Sequence, residues 1–269
     1  MKLSLKDQIV VVVGGAQGIG HAIAKAFSEE GCRVALLDRS DAVLGAAEEM
    51  ARNSGVECRA WVMDVTDETA VQSCASDINE LWGGARHVVY AAGCGSGKFG
   101  FPFWNLDPVD WPRVLAVNLY GAVHTAHAFQ SQLCRSGSGS LLFLTSVAGQ
   151  IGSQTDPPYS AAKAALTNFM HCAAKDFAPF GVRVNAIAPG MVRTSLNEAV
   201  WEASQAGLPS PERQEYEVWA GEKIRRVSPL GRWQEPEEFG AMAVFLASEA
   251  ARNITGQTLN IDGGQVMHA

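Results

Sequence analysis

The sequence predicts one doubly wound α/β domain, with a mostly parallel sheet of seven strands and helices on both faces. Short apolar runs alternate with longer helical patterns along all 269 residues. That alternation is typical of parallel strands joined by right-handed helical crossovers. A glycine-rich turn directly after the first apolar run is the second observation behind the prediction. The strands are expected near residues 8–13, 33–38, 57–62, 86–91, 140–145, 182–188 and 257–261.

Composition and charge narrow the class of protein. Hydrophobic residues make up 47% of the chain and charged residues 18%, which is ordinary for a large buried core. The net charge of −7 argues against nucleic acid or an anionic membrane as a partner. No apolar run is long enough for a membrane span, and residues 1–6 lack the apolar core of a signal peptide. We therefore expect a cytoplasmic protein with no nucleic-acid or membrane partner.

The cysteines indicate neither a metal site nor a disulfide framework. They stand at positions 32, 58, 74, 94, 134 and 172, without the paired spacing of metal ligands. In the absence of a secretory context they are predicted to be reduced thiols. No metal is expected.

The segment from Gly14 to Gly20 joins the first predicted strand to a helical pattern. Glycines allow a sharp turn and a close approach of the backbone to a pyrophosphate. The N-terminus of the following helix offers unpaired N–H groups and a positive dipole end to such an anion. The alternative is a plain strand-to-helix connection. Together with the strand pattern, the segment predicts a Rossmann-type dinucleotide-binding fold.

The end of the second strand indicates which dinucleotide binds. Asp38 stands eighteen residues after Gly20. A carboxylate at this point accepts hydrogen bonds from the adenosine ribose hydroxyls and repels a 2′-phosphate, which favours NAD over NADP. The neighbouring Arg39 could in principle hold a phosphate, but Asp38 is expected to dominate.

Tyr159 and Lys163 stand four residues apart, and Ser146 lies thirteen residues before the tyrosine. On a helix, that spacing places the phenol and the ammonium on one face, one turn apart. A free phenol has a pKa of about 10, and a neighbouring cation favours the phenolate. A phenolate beside a hydroxyl donor can take the proton of an alcohol while a hydride leaves the same carbon. Taken alone, a Tyr–Lys pair at this spacing is more often an exposed pair without function.

In this order, the glycine turn, the serine and Tyr-x-x-x-Lys resemble the short-chain dehydrogenase/reductase family over essentially the whole chain. The resemblance implies that Tyr159 is the acid/base, that Lys163 lowers its pKa and binds the nicotinamide ribose, and that Ser146 orients the substrate oxygen. Asn118 would support a water-linked proton relay to the lysine, although it could simply bond a neighbouring turn. Thr194 would meet the nicotinamide carboxamide, cap the following helix, or do both.

The same resemblance implies which residues hold the cofactor. They are Gly14, Gln17, Gly18, Ile19, Gly20, Asp38, Arg39, Asp64, Val65, Ala92, Gly93, Tyr159, Lys163, Pro189, Gly190, Val192 and Thr194. Several follow predicted strands directly, and doubly wound sheets bind their ligands beyond the carboxyl ends of the strands.

Two positions depart from the family pattern. Val13 stands where a threonine usually precedes the glycine turn, and Tyr90-Ala91 replaces a pair of asparagines after the fourth strand. The usual polar groups tie neighbouring loops of the nucleotide site together. We expect an apolar contact to replace a hydrogen bond here, with an effect on cofactor affinity and none on the catalytic set.

Two stretches are expected to determine the substrate. One runs from Gly95 to Trp104; the other is an unusually long connection at 194–226, predicted to form short helices and a lid within the single domain 1–269. Polar residues precede Tyr159: they are Gln150, Ser153, Gln154, Thr155 and Asp156. A polar pocket suits a polyol, sugar or sugar acid. Arg193 or another basic residue could bind a carboxylate, or the basic side chains could simply be solvated.

The sequence thus predicts an NAD-dependent dehydrogenase that interconverts a secondary alcohol and a ketone on a small molecule. A 3-oxoacyl-thioester reductase is the alternative enzyme; because it normally uses NADPH, Asp38 argues against it. A catalytically silent NAD-sensing protein is the alternative from another class. The resemblance also implies a homo-oligomer, a tetramer built by the helices near 108–135 and 159–178 and by the C-terminal region.

Overall fold

A sheet of seven parallel strands forms the centre of the molecule, in the order β3-β2-β1-β4-β5-β6-β7. The computed structural model describes residues 3–153, 155–206 and 208–267. The strands are β1 (Ile9–Val13), β2 (Arg33–Asp38), β3 (Cys58–Val62), β4 (His87–Tyr90), β5 (Ser140–Leu144), β6 (Arg183–Pro189) and β7 (Thr258–Ile261). Every predicted strand is confirmed with its ends within one residue, and the predicted fold class is confirmed.

Helices connect the strands and cover both faces of the sheet. They are α1 (Gly18–Glu29), α2 (Ala42–Ser54), α3 (Glu68–Trp82), α4 (Trp111–Leu115), α5 (Gly121–Ser136), α6 (Ala148–Ile151), α7 (Pro157–Phe177), α8 (Ser195–Gln205), α9 (Tyr216–Val227) and α10 (Pro236–Ala247). A π-helical turn, Ala116–Tyr120, joins α4 to α5. Among the described residues, no helix is both long and apolar enough to cross a bilayer.

The side chains of each central strand alternate between two hydrophobic cores. In β1, Val11 and Val13 enter one core, with Phe129 of α5 and Leu166 of α7. Val10 and Val12 enter the other, which α1, α2 and α10 cover. Successive side chains of a strand point to opposite faces, so a strand buried on both faces is apolar throughout. This is why the uninterrupted valine run of β1 forms a central strand.

The strand order places a crevice between β1 and β4. The chain builds β1, β2 and β3 towards one edge of the sheet and then returns to place β4 on the other side of β1. The loops after β1 and β4 therefore leave the sheet on opposite sides, which opens a crevice at the carboxyl ends of these strands. The glycine turn follows β1, and the loop that begins Ala91-Ala92-Gly93 follows β4.

Candidate active site

A cavity of about 390 Å³ opens at this crevice. With one exception, its lining includes every residue predicted from the sequence to bind cofactor or take part in catalysis: Gly14, Gln17, Gly18, Ile19, Gly20, Asp38, Arg39, Asp64, Val65, Ala92, Gly93, Ser146, Tyr159, Lys163, Pro189, Gly190, Val192 and Thr194. The exception is Asn118, which is fully buried.

The glycine turn is shaped so that no side chain occupies its centre. Gly14 and Gly18 have φ angles of +86° and +58°, in the left-handed region that favours glycine. A Cβ atom added at Gly20 would lie 2.0 Å from the Gly14 carbonyl oxygen. Gln17 occupies the N-cap position of α1, and its side chain forms no capping hydrogen bond. The first amides of the helix are therefore not capped by this side chain. A pyrophosphate fits this arrangement because it accepts hydrogen bonds from such amides.

Asp38 is held in place by backbone amides at the end of β2. Its Oδ2 accepts a hydrogen bond from the Ala16 amide at 3.1 Å, and its Oδ1 accepts one from the Ser40 amide at 3.0 Å. Each carboxylate oxygen retains acceptor capacity for a second donor. The exposed side chain of Arg39 borders the same part of the cavity.

Asp64 follows β3 and is also fixed by its neighbours. Its Oδ1 accepts hydrogen bonds from the amide and from the hydroxyl of Thr66, at 2.9 and 2.8 Å. The amide hydrogen bond is the main cause of the lowered pKa of Asp64. Its neighbour Val65 is buried.

Helix α7 presents Tyr159 and Lys163 to the cavity one turn apart. The Lys163 Nζ lies 5.4 Å from the centre of the Tyr159 ring and donates a hydrogen bond to the Leu144 carbonyl at 2.8 Å. Ser146 follows β5, where its Oγ accepts a hydrogen bond from the Ala148 amide at 3.1 Å. The spacing in the sequence thus brings all three groups to one side of the cavity.

The pKa of Tyr159 lies above the ordinary value of a phenol. Burial raises it to about 12, and the neighbouring Ser146 hydroxyl acts in the opposite direction. Burial also lowers the pKa of Lys163 to about 8. The expectation that Lys163 lowers the tyrosine pKa stays a prediction, because the net direction reflects the burial of the phenol. Its ammonium lies over the ring and bonds the backbone, and the loss of hydration around the phenol dominates.

Asn118 lies in the π-helical turn behind the cavity. Its Nδ2 donates hydrogen bonds to the carbonyls of Cys94 and Val114, at 2.7 and 2.9 Å. Its Oδ1 is buried without a hydrogen-bond partner among the described residues. A Cβ atom added at Gly93 would lie 3.0 Å from that oxygen and 3.5 Å from Lys163 Nζ, so Gly93 borders both groups. Buried acceptors normally have a partner, which makes this oxygen a candidate to bind water or a ligand.

Thr194 stands at the N-cap position of α8, as one of its two predicted roles requires. Its side chain makes no cap hydrogen bond, however. Its Cγ2 would lie 3.6 Å from a Cβ atom added at Gly18, so the start of α8 lies over the glycine turn.

Tyr90 departs from the family pattern but still forms a polar contact. The Tyr90 hydroxyl donates a hydrogen bond to the carbonyl of Val117, the residue before Asn118. The expectation that an apolar contact replaces a hydrogen bond here is therefore wrong for Tyr90, because its long side chain reaches the π-helical turn. Ala91 makes an apolar approach instead: its Cβ would lie 3.1 Å from a Cβ added at Gly20.

The two stretches predicted to determine the substrate contribute unequally to the lining of the cavity. In the stretch from Gly95 to Trp104, only Gly95 lines the cavity, and Phe103 and Trp104 are 66% and 71% exposed. The loop that carries these aromatic side chains turns outward to solvent, and the role of this stretch in determining the substrate stays a prediction. The segment 194–226 forms α8 and most of α9 and supplies the lining residues Thr194, Ser195, Leu196, Asn197, Val200 and Lys223.

Polar residues before Tyr159 also reach the cavity. Ser153, Thr155 and Asp156 line it, whereas Gln150 exchanges two hydrogen bonds with Asn260, and Gln154 lies outside the described residues. The lining residues Cys94 and Gln265 were not predicted from the sequence. Cys94 directly follows the loop Tyr90-Ala91-Ala92-Gly93, which gave a signal for it; nothing in the local sequence singles out Gln265.

A doubly wound parallel sheet with serine, tyrosine and lysine at its crevice defines an oxidoreductase that acts on CH–OH groups with a nicotinamide cofactor. Residues 14–266 match the family model described as enoyl-(acyl carrier protein) reductase. The chain belongs to the short-chain dehydrogenase/reductase family.

Relatives within the family act on different substrates. An acetoacetyl-CoA reductase from Synechocystis sp. is 32% identical, with 98% of both chains covered. A galactitol 2-dehydrogenase from Rhizobium johnstonii is also 32% identical, with 98% of this chain and 96% of that one covered. The crystal structure of L-sorbose reductase from Gluconobacter frateurii, in complex with NADPH and L-sorbose, is 25% identical and superimposes with a TM-score of 0.90 over all of both chains.

Proposed function

We propose that the protein is an NAD-dependent dehydrogenase that interconverts a secondary alcohol and a ketone on a polyol, sugar or sugar acid. One observation carries this proposal: the Ser146, Tyr159 and Lys163 side chains line the same cavity as the glycine turn and Asp38. Proton-transfer groups and a nucleotide site are therefore within one continuous space, as hydride transfer between two bound molecules requires.

The chemistry is divided between the cofactor and the chain. A bound oxidised nicotinamide supplies the hydride acceptor. In the oxidation, the Tyr159 phenolate takes the hydroxyl proton as the carbinol carbon loses its hydride, and the C–O bond becomes a carbonyl. The Ser146 hydroxyl holds the reacting oxygen by a hydrogen bond. In the reduction, the Tyr159 phenol returns the proton to the carbonyl oxygen.

Lys163 and Asn118 support the proton transfer by Tyr159. Lys163 would donate a hydrogen bond to the ribose of a bound nicotinamide cofactor, and it keeps a positive charge over the Tyr159 ring. The buried, unpaired Oδ1 of Asn118 accepts a hydrogen bond from a water that leads to Lys163. This relay carries the proton from Tyr159 towards solvent.

The polar groups near Tyr159 support a hydroxylated substrate. The hydroxyls of Ser153 and Thr155 line the cavity, and neither has a hydrogen-bond partner within 3–153, 155–206 and 208–267. Groups of this kind suit a substrate with several hydroxyls, since a site built for hydrogen bonds discriminates against molecules that lack them. The relatives named for galactitol and L-sorbose also support this substrate class.

Asp38 supports NAD as the cofactor. The carboxylate lies where the adenosine ribose would bind, with acceptor capacity for the ribose hydroxyls and a charge that repels a 2′-phosphate. The L-sorbose reductase complex contains NADPH, so the fold itself accommodates either dinucleotide.

The proposal extends to the organisation of the chain. Residues 1–269 act as a single cofactor-binding and catalytic domain, and the segment 194–226 closes over the substrate. The protein acts in the cytoplasm as a homotetramer. Light scattering of the purified protein measures the assembly, and a monomer at assay concentrations would contradict it.

A 3-oxoacyl-thioester reductase is the second candidate, because the acetoacetyl-CoA reductase matches nearly the whole chain. The two functions are separated by their substrates and by their cofactors. An acyl thioester presents one oxygen on a flexible apolar chain, which would leave the hydroxyls of Ser153 and Thr155 without partners.

Turnover of a polyol, sugar or sugar acid with NAD is the expected result of a substrate panel. The panel contains alditols, aldoses, aldonates and 3-hydroxyacyl thioesters, each assayed for NADH and for NADPH formation. We expect one of the hydroxylated groups to exceed the thioesters by at least about tenfold in kcat/KM, because it satisfies the polar lining. Preferential turnover of thioesters, particularly with NADP, would favour the second candidate and contradict the proposal.

A further inference from the structure

Lys223 presents an ammonium group to the cavity from the lid. It lies on α9 and is the one basic residue of that helix in the cavity lining, within the described part of the chain. Its Nζ lies 4.6 Å from the centre of the Trp219 ring. A cation over an aromatic face is held there by the ring quadrupole. The side chain is therefore positioned rather than free in solvent.

No carboxylate of the described residues forms an ion pair with this ammonium. Among the described residues, Lys223 forms no salt bridge, and the acidic residues of its own helix have other partners. Glu217 forms an ion pair with Arg193 at 2.9 Å, and Glu222 accepts a hydrogen bond from Gln214 at 3.0 Å. Burial, followed by the charge of the nearby Arg226, lowers the pKa of Lys223 to about 8. At neutral pH the group is thus a partly desolvated cation without an ion-pair partner in the described part of the chain.

The other basic candidate is already occupied. Arg193 binds Glu217 and lies over the Trp233 ring, with its guanidinium carbon 5.2 Å from the ring centre. It does not line the cavity. The sequence left open whether Arg193 or another basic residue binds a carboxylate, and the contacts of Arg193 favour a role in fixing the lid.

We propose that Lys223 binds the carboxylate of a polyhydroxy acid, so that sugar acids are the preferred substrates of this enzyme. The proposal rests on the proposed function, within which it selects one of the substrate classes. A carboxylate supplies both the missing charge and a hydrogen-bond acceptor for the ammonium, and a charge-assisted bond of this kind is stronger than a neutral one. The substrate's hydroxyls would reach Ser153, Thr155 and Tyr159.

One other anion could meet the same ammonium, namely the pyrophosphate of the cofactor. The start of α8 lies over the glycine turn, so the lid approaches the pyrophosphate site as well as the substrate. Binding measurements separate the two sources. A substrate role affects acids alone, whereas a cofactor role affects NAD binding and the turnover of every substrate alike.

The experiment compares two aldonates, D-gluconate and D-galactonate, with the alditols of the same configuration, D-glucitol and galactitol, at pH 7. The variants are Lys223→Met, which keeps much of the length and removes the charge, and Lys223→Arg, which keeps the charge. Arg225→Met is the matched control, because Arg225 lies on the same helix and is exposed to solvent. NAD binding is measured for each variant by calorimetry, and aldonate binding to the NAD complex by tryptophan fluorescence, since Trp219 neighbours Lys223.

We expect the unaltered enzyme to prefer the aldonates. Lys223→Met should weaken aldonate binding and kcat/KM by on the order of 10- to 100-fold, mainly through KM, the size of one charge-assisted bond. Alditol turnover and NAD binding should change by less than about twofold, and Lys223→Arg should keep most of the preference. A preference for alditols, an equal loss on acids and alditols, or weakened NAD binding in Lys223→Met would each overturn this role. Turnover of thioesters alone would instead overturn the proposed function.

Discussion

Replacing Tyr159 with phenylalanine is expected to lower kcat by on the order of 10³-fold, while NAD binding changes by less than about twofold. The substitution removes the hydroxyl that is proposed to exchange a proton with the reacting oxygen. It leaves the aromatic ring in place. Ser146 and Lys163 remain, and the cavity keeps its shape. A loss confined to kcat assigns Tyr159 to the transfer step rather than to binding.

The matched control is Tyr120→Phe. Tyr120 also loses only a hydroxyl, but it is 56% exposed and lies outside the cavity lining. It should retain turnover and thermal stability. Residual activity above about a tenth in Tyr159→Phe would mean that another group supplies the proton.

The raised pKa of Tyr159 adds a dependence on pH to this prediction. With a pKa of about 12 before ligands bind, the residue is a phenol at neutral pH. The phenol is the acid that ketone reduction needs, and the phenolate is the base that alcohol oxidation needs. We therefore expect kcat/KM for oxidation to rise about tenfold per pH unit up to the apparent pKa, while reduction stays level over the same range. The positively charged nicotinamide ring of bound oxidised cofactor would lower that apparent pKa. An oxidation rate that does not change with pH would contradict Tyr159 as the base.

The fold and the shape of the glycine turn could be predicted because their signals are local. A continuous valine run such as Val10–Val13 is buried on both faces only as an inner strand, and Gly14 and Gly18 adopt the left-handed angles that such a turn requires. Tyr159 and Lys163 share a helix, so their relative position follows from helical geometry alone. For these residues, spacing in the sequence determines spacing in the structure.

The substrate side could not be predicted in the same way, because its contacts join segments distant in sequence. Arg193 and Lys223 are both basic residues near the lid, and nothing in their local sequence distinguishes them. The choice depends on Glu217 and Trp233, which meet Arg193 only in the folded chain. Likewise, the exposure of Phe103 and Trp104 depends on how their loop folds, which their position in the sequence does not show.

The net pKa of Tyr159 could not be predicted from the sequence for a related physical reason. The prediction from the spacing of Tyr159 and Lys163 considers the charge of the lysine beside the phenol. It omits the hydration that both groups lose on burial. In the folded chain, this loss dominates for each of them, raising the pKa of Tyr159 and lowering that of Lys163. The spacing of two groups therefore does not determine their pKa values unless their burial is also known.

Asp38→Asn is expected to shift the cofactor preference from NAD towards NADP by on the order of 100-fold in the ratio of kcat/KM values. The amide oxygen of asparagine can still accept one of the backbone bonds from Ala16 and Ser40, so the turn should keep its shape. The negative charge that repels a 2′-phosphate is removed, and like charges brought together in a binding site cost several kcal/mol. NAD turnover should fall modestly, because the amide is a weaker acceptor for the ribose hydroxyls than the carboxylate.

Asp41→Asn is the matched control, since it removes an exposed carboxylate three residues away that does not line the cavity. It should leave the preference within about twofold of the unaltered enzyme, which would exclude a general effect of net charge. An unaltered preference in Asp38→Asn would contradict the assignment of this carboxylate to the adenosine ribose.

Arg39 then decides how far the preference shifts. Its exposed guanidinium borders the cavity and has no salt-bridge partner among the described residues, so it can bind a 2′-phosphate once the neighbouring carboxylate is neutral. Adding Arg39→Gln to Asp38→Asn should therefore remove most of the gained NADP efficiency, whereas Arg39→Gln alone should alter NAD turnover little. If the double variant kept the full gain, the single variant's effect would be due to lost repulsion alone. The ribose site would then owe its selectivity to Asp38 without any contribution from its basic neighbour.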